Sequence, residues 1–265
     1  MPVQYCDIGL NLFSSQFHDP ARILKDAEDA GVSCILTGSD MKENRTIAAY
    51  LTASHPPFPV YATCGIHPHN ADHARESDFL EMKELLSSPF FVAVGECGLD
   101  YNRMFSMKEN QLSCLEQHIL LAQELSKPMF LHERDASSDM LAVFRRYPGI
   151  PERSVIHCFT GDRNQLRAYL DLGFSIGITG WICDDRRADA VRDAVRFLPL
   201  DRVMLETDAP YLTPRDVPGL PRVNVPGNIV YVCRTLARFM NVPEDTLRAA
   251  ALENTQRFFS VSFDV

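Results

Sequence analysis

Four side chains with metal-binding chemistry stand at the ends of short apolar runs. Glu96 closes Phe91-Val-Ala-Val-Gly-Glu96, His132 closes Pro128-Met-Phe-Leu-His132, and His157 closes Ser154-Val-Ile-His157. Asp208 follows Arg202-Val-Met-Leu-Glu-Thr-Asp208 in the same way. Each has an ordinary reading when taken alone: a histidine ending an apolar strand can be a satisfied structural residue, and a carboxylate after a strand is often a helix N-cap. Four such side chains at the same end of four runs point instead to a divalent-metal site. Mixed imidazole and carboxylate donors suit zinc, manganese and other borderline ions, while magnesium prefers oxygen. A metal there lowers the pKa of water and polarises a phosphoryl or carbonyl oxygen. Asp208 is then the candidate general base, a ligand, or both in turn.

A second cluster is Gly65-Ile-His67-Pro-His69, after a third apolar run. The glycine and proline hold two imidazoles on a turn, where they can bind a second metal, hydrogen-bond a substrate phosphate, or lie exposed. Arg134, two residues past His132, offers a planar fork for phosphate or a partner for Asp135. Trp181 can stack a nucleobase or pack against its own loop. The turn Glu206-Thr-Asp208-Ala-Pro-Tyr211 is stiffened by proline, which suits a carboxylate that must be held still. His18, His55, His73 and His118 lack any such placement and are read as structural or solvated.

The elements that must position these groups alternate between two kinds. Short β-branched runs at Tyr5–Phe13, Ser33–Gly38, Pro59–Ile66, Phe91–Glu96, Pro128–His132, Ser154–His157, Phe174–Thr179 and Arg202–Glu206 read as strands. Helical periodicity fills Pro20–Ala30, Lys42–Ala53, Ser77–Leu86, Lys108–Leu125, Ala136–Tyr147, Arg163–Leu172 and Arg187–Phe197, with closing helices near Asn228–Met240 and Glu244–Phe258. Gly31 and Gly173 fall where helices hand over to strands, as C-capping residues do, and Pro59 and Pro128 open strands. Alternation of this kind implies parallel strands with right-handed crossovers. An open doubly wound sheet also fits, but eight strands in a chain of 265 residues favour a (β/α)8 barrel forming one domain. All four strand-end residues would then lie on the C-terminal rim, where active sites of this fold sit.

Composition narrows the class. Hydrophobic residues make up 46%, enough for a large core, and no window approaches the ~18 consecutive apolar residues of a membrane span. The N-terminal Met-Pro-Val-Gln-Tyr-Cys-Asp has neither a basic region nor an apolar signal core, so a cytoplasmic location is expected. The eight cysteines are scattered without a C-x-x-C pair and read as small core residues. A net charge of −9 excludes a general nucleic-acid coat protein, yet Arg186–Arg187 and Arg215 with Arg222 are local basic clusters able to guide a strand.

At these motifs the chain resembles the TatD family of metal-dependent nucleases. The stretches that carry the resemblance are Asp7-Ile-Gly-Leu-Asn-Leu, Gly65-Ile-His-Pro-His69, Gly95-Glu-Cys-Gly-Leu-Asp100, His132-Glu-Arg-Asp-Ala136, His157-Cys-Phe-Thr-Gly161, Gly177-Ile-Thr-Gly-Trp181 and Glu206-Thr-Asp-Ala-Pro-Tyr211. The resemblance implies a barrel and Mg²⁺-dependent DNase activity, with nucleotides removed from the 3′ end of single-stranded DNA or RNA; a monomer without membrane attachment is expected. It implies Glu96, His132, His157 and Asp208 at one or two metal ions, with Mn²⁺ or Zn²⁺ as alternatives to Mg²⁺. Asp208 and Glu96 are the expected catalytic groups, and His67, His69 and Arg134 the expected contacts to substrate. Two departures stand out. Many relatives in the wider superfamily carry a His-x-His pair on strand one, where this chain has Gly9 and Asn11, leaving Asp7 as a weak ligand or a partner to bound water. The Arg-Asn-Glu-Pro motif usual after the last strand reads Arg222-Val-Asn224-Val-Pro226, with Val225 in place of the acid. A small-molecule amide or ester hydrolase is the alternative activity, although the strand-one pair and a strand-four lysine that such enzymes use are both missing. A non-catalytic scaffold would be marked by absent rim ligands, and these are present.

Overall fold

The apolar runs pair side by side in chain order. In a computed structural model that describes residues 2–54, 56 and 58–263, eight parallel strands form one sheet in the order β1 to β8. They are β1 (Tyr5–Leu10), β2 (Val32–Leu36), β3 (Val60–Cys64), β4 (Phe91–Asp100), β5 (Met129–Arg134), β6 (Ser154–Ile156), β7 (Ser175–Ile178) and β8 (Val203–Leu205). Between them run α1 (Pro20–Asp29), α2 (Met41–Ser54), α3 (Glu76–Leu85), α4 (Lys108–Leu125), α5 (Ser137–Phe144), α6 (Arg163–Leu172) and α7 (Asp189–Ala194). Two last helices, α8 (Ile229–Met240) and α9 (Glu244–Phe259), follow the barrel. His55 lies outside the described residues.

Burial follows from strand geometry, because successive side chains point to opposite faces. Ile8, Ile35, Ala93, Phe130, Val155 and Met204, one from each of six strands, form a cluster apart from the larger layer between strands and helices. Gly31 and Gly173 take left-handed backbone at the ends of α1 and α6, with φ of +69° and +98°, as expected of C-terminal caps.

The last seam closes differently from the other seven. One parallel bridge, Leu10 with Ala209, joins the first strand to the segment just after the last. Beside it the carboxylate of Asp7, fully buried, accepts from Thr207 N (2.8 Å), from the Thr207 hydroxyl, and from Gly9 N (3.2 Å). A side chain thus supplies what main-chain pairing supplies elsewhere. Burial is the larger influence on Asp7 and pushes its pKa up to about 7, against these donors. Asp7 therefore acts as a closure residue, with both oxygens accepting bonds that join the first strand to the Thr207 segment.

Strand boundaries depart from expectation in one instructive place. Glu96 does not end β4; the strand continues to Asp100. The register against β5 jumps from Val94↔Met129 to Cys97↔Leu131, so one extra residue is inserted on β4. Such a bulge re-aims a side chain without ending the strand. β1 is shorter than expected, ending at Leu10, and β6 and β8 stop just short of His157 and Glu206. The expected helix Arg187–Phe197 is a short α-helix, α7, followed by a tighter 3₁₀ turn at Val195–Phe197.

One buried histidine ties this scaffold to the rim. On α4, His118 Nε2 accepts from Ile66 N (3.0 Å), and its Nδ1 donates to Cys114 O (2.7 Å). That tautomer is neutral, and burial lowers the His118 pKa to about 4. An ordinary histidine near 6.5 in the unfolded chain takes up its proton first as pH falls, so stability is lost on going from pH 6.5 toward 4. Urea denaturation is expected to show wild type losing up to about 3 kcal/mol more than a non-titrating His118→Gln variant across that window, at ~1.4 kcal/mol per unit. Parallel pH profiles for the two proteins would refute this role.

Candidate metal centre

Four segments bring polar side chains to a single point on the C-terminal rim. The bulge on β4 delivers Glu96, whose backbone N donates to Gly38 O (2.7 Å). β5 delivers His132 and the residue after β6 delivers His157. The loop after β3 delivers His67, held by the His118–Ile66 bond and by its own N–H donated to Ser39 O (2.8 Å). His67 Nδ1 accepts from His69 N (3.1 Å) and so caps the short 3₁₀ turn that begins at Pro68.

Glu96 Oε1 is the meeting point. It lies 2.9 Å from His157 Nε2, 3.0 Å from His132 Nδ1 and 3.4 Å from His67 Nε2. One donor atom each from His67, Glu96 and His132 falls within 4.8 Å of the others, a spacing that a divalent ion can span. His157 Nδ1 faces Glu206 Oε2 at 3.2 Å, while Cys158 N donates to Glu206 Oε1 at 2.5 Å. His132 Nε2 is 3.3 Å from Asp100 Oδ2, which also receives His69 Nε2 at 2.7 Å.

This arrangement tests whether a cation fits. A neutral imidazole has one N–H, yet His132 and His157 each present both ring nitrogens to carboxylates. If Glu206 holds the proton on Nδ1 of His157, the Nε2 lone pair faces a carboxylate oxygen across 2.9 Å, and positive charge must lie between them. The donor set fits a metal on that ground. Without one, the same need falls on protons. Burial works against charge on His157, but Glu96 and Glu206 outweigh it and hold its pKa well above the usual value. Burial would likewise raise Glu96, and the charges of His67 and His157 hold it well below the carboxylate range. His67 goes the other way, lowered by burial to about 4 in spite of Glu96.

Asp208 lines the same cleft of about 650 Å³ with His67, His69, Glu96, His132 and His157. Its Oδ1 accepts from Asn11 Nδ2 (2.9 Å), and its backbone is left-handed, with φ +55°. Burial, opposed by His157 and supported by Glu96 and Glu206, pushes its pKa up to about 7. Asp208 shares the cleft with the compact His67–Glu96–His132 group and is not one of those three donors. Arg134 sits on the rim: its Nη1 donates to Thr160 Oγ1 (3.3 Å), and its guanidinium lies over the Trp181 ring at 4.8 Å. It does not pair with Asp135, which receives Asn102 Nδ2 instead. His18 and His73 are exposed.

Sequence reasoning missed Glu206, Asp100 and the use made of Asn11. A signal for Glu206 was present in two glycines. A Cβ on Gly9 would stand 2.6 Å from Glu206 Oε2, and one on Gly177 would stand 2.5 Å from Oε1. Close approach of the carboxylate, rather than a turn, is what these positions require. The space beside Gly9 on strand one is occupied by Glu206. Asn224 Nδ2 donates to Thr207 O (3.1 Å) and Tyr211 O (2.8 Å), pinning the turn after β8 without an acidic residue at Val225.

Comparison with known proteins agrees with this geometry. The family model described as TatD related DNase matches residues 6–260. The protein named 3′-5′ ssDNA/RNA exonuclease TatD from Rahnella sp. is 40% identical over 260 residues, covering 97% of this chain and 98% of that one. The protein of the same name from Erwinia billingiae is 41% identical over 258 residues, covering 96% and 98%. Among solved structures, the TatD homologue YJJV of Escherichia coli superposes with a TM-score of 0.87 at 28% identity, covering 99% of this chain and 100% of that one. A TatD family hydrolase from Entamoeba histolytica gives 0.87 at 24% identity, covering 97% and 98%, and shares the fold.

If Glu206 orients His157 through Nδ1, Glu206→Gln should weaken metal binding by about 10- to 100-fold while leaving the far-ultraviolet circular dichroism unchanged. Calorimetric titration with Mn²⁺ reads the change. Wild-type affinity in the variant would remove Glu206 from this role.

Proposed function

Because this chain belongs to the TatD-related DNase family, we propose that it is a metal-dependent 3′–5′ exonuclease, folded as one domain, that hydrolyses phosphodiester bonds of single-stranded DNA and RNA. The observation that carries the reading is the convergence of His67, Glu96 and His132 within 4.8 Å, with His157 on the same Glu96 oxygen, in a cleft on the rim. Glu96, His132 and His157, with His67 and Asp208 completing the site, would hold a divalent ion, which when bound would supply Lewis acidity toward the phosphoryl oxygens and lower the pKa of water. Magnesium is the proposed activating ion, and the two or three imidazole donors favour Mn²⁺ or Zn²⁺ for tighter binding at one or two positions.

The chain's own groups divide the remaining work. Asp208, fixed by Asn11 and lining the same cleft, is placed to take the proton of the attacking water. Glu206 keeps His157 oriented, and Asp100 does the same for His69 and His132. His69 and Arg103 line the cleft and Arg134 stands at its margin, where the two guanidinium groups donate to phosphate oxygens and oppose the charge that develops on them. Phe105, 66% exposed, packs edge-on against His69, and Tyr211, 46% exposed, lines the cleft; both offer rings on which unpaired bases stack. An open cleft of this kind suits a flexible single strand better than a small amide or ester, and Gly9 leaves no strand-one histidine for the latter chemistry. No helix among the described residues is long and apolar enough to cross a membrane. All eight cysteines are free, which fits a reducing cytoplasm.

The test is cleavage of a 5′-labelled single-stranded DNA oligomer and its RNA counterpart with Mg²⁺, with Mn²⁺ and with EDTA. A ladder shortening from the 3′ end, abolished by EDTA and reduced at least about 10³-fold in Glu96→Ala and His157→Ala, is the expected result. Wild-type rates in both variants, or faster turnover of a panel of amides and lactones, would overturn the assignment.

A further inference from the structure

A second groove lies beside the catalytic cleft, and its charge is opposite to that of the protein as a whole. Its volume is about 850 Å³, and it is lined by Arg187, Arg215 and Arg222, the last two on the loop that follows β8. Tyr211 lines both this groove and the catalytic cleft, so the two are neighbours that share that ring as a wall. Pro210, Pro214, Pro218 and Pro221 set the wall and restrict its backbone. Among the described residues the one carboxylate lining the groove is Asp184, and it is committed: 3% of its side chain is exposed, and Arg186, Arg187 and Arg215 approach it at 2.6, 3.0 and 3.5 Å. Three guanidinium groups on one carboxylate leave an excess of positive charge. Arg222 has no ion pair or side-chain hydrogen bond among the described residues; its carbonyl accepts from Thr213 Oγ1. In a chain of net charge −9, this concentration of arginines beside the cleft calls for an anionic occupant.

We propose that this groove holds the 5′-ward phosphodiester backbone of the single strand whose 3′ end lies in the metal cleft, with Arg222 and Arg215 on successive phosphates and Tyr211 stacking the base at the junction. The proposal rests on the exonuclease reading for the direction of the strand. The geometry favours a strand over an isolated phosphate, because two neighbouring polar compartments share an aromatic ring on which a base can stack. Arg187 is committed elsewhere: its guanidinium stacks on Trp181 at 3.6 Å, which holds the groove wall against the rim. A strand in this groove also gives a role to arginines that the metal chemistry does not use.

Binding and turnover separate this proposal from its premise. Fluorescence anisotropy would use the Mn²⁺-loaded enzyme and a labelled twelve-nucleotide DNA strand carrying phosphorothioate linkages at its 3′ end. Arg222→Glu is expected to raise Kd about tenfold and to lower the slope of log Kd against log salt by ~0.7 for each phosphate no longer neutralised. Arg215→Ala is expected to act in the same direction. Arg153→Glu, on the opposite face before β6, makes the same charge change and is expected to leave Kd unchanged. With an unmodified dinucleotide, which has no further 5′-ward phosphates to place in the groove, the loss of kcat/KM in Arg222→Glu should be smaller than on the longer strand, whose KM rises. Equal effects of Arg222→Glu and Arg153→Glu, or equal loss on dinucleotide and longer strand, would overturn the proposal. Cleavage from the 3′ end with normal binding by Arg222→Glu would sink the groove and spare the exonuclease. Arg222-dependent binding without any cleavage would spare the groove and sink the exonuclease.

Discussion

A buried carboxylate needs hydrogen-bond donors or positive charge to meet it, and most of the rim of this barrel is organised by that requirement at Glu96. Its Oε1 faces nitrogens from His132, His157 and His67, which arrive from or just after three further strands. Two of those rings turn their second nitrogen to another carboxylate, Asp100 or Glu206. The result is a chain of alternating acid and imidazole in which neither of these two rings can be neutral and satisfied at once unless a cation is present. Electrostatics therefore couples four strands at this end, and the same coupling makes the site ready for a divalent ion.

The first and last strands are joined by the same economy. Asp7 closes the barrel by accepting from Thr207, and Glu206, the residue before it, reaches into the space left by Gly9 to contact His157. Asn11, just past the end of β1, fixes Asp208. One short stretch, residues 7–11, thus sets the seam, admits the carboxylate that orients His157, and fixes the acid that shares the cleft. Gly9 and Asn11 thus support donors that come from elsewhere in the chain.

Much of this was readable from local pattern. Strand–helix alternation and the eight-strand count led to the barrel, and α4 and α6 agree with expectation to the residue. Glu96, His132, His157 and Asp208 were found because each stands at or just after the end of an apolar run, and a barrel sends all such positions to one rim. What escaped was whatever depends on register. The bulge in β4 leaves the hydrophobic pattern intact, so Phe91–Glu96 looked like a complete strand when it was its first half. The type and position of Asp7 allow a ligand, and nothing local reveals that Thr207 will donate to both its oxygens.

Residue type and spacing alone determined the fold class, the order of elements and the presence of metal-competent groups at strand ends, because these follow from periodicities of a few residues along the chain. Only the closed barrel decided which oxygen faces which nitrogen. The bond from Thr207 N to Asp7 spans 200 positions, and the contact of His157 with Glu206 spans 49. Such pairings exist only once every crossover is in place. The roles of Gly9 and Gly177 are likewise decided there, since a missing Cβ has meaning only when another strand brings a carboxylate into the space.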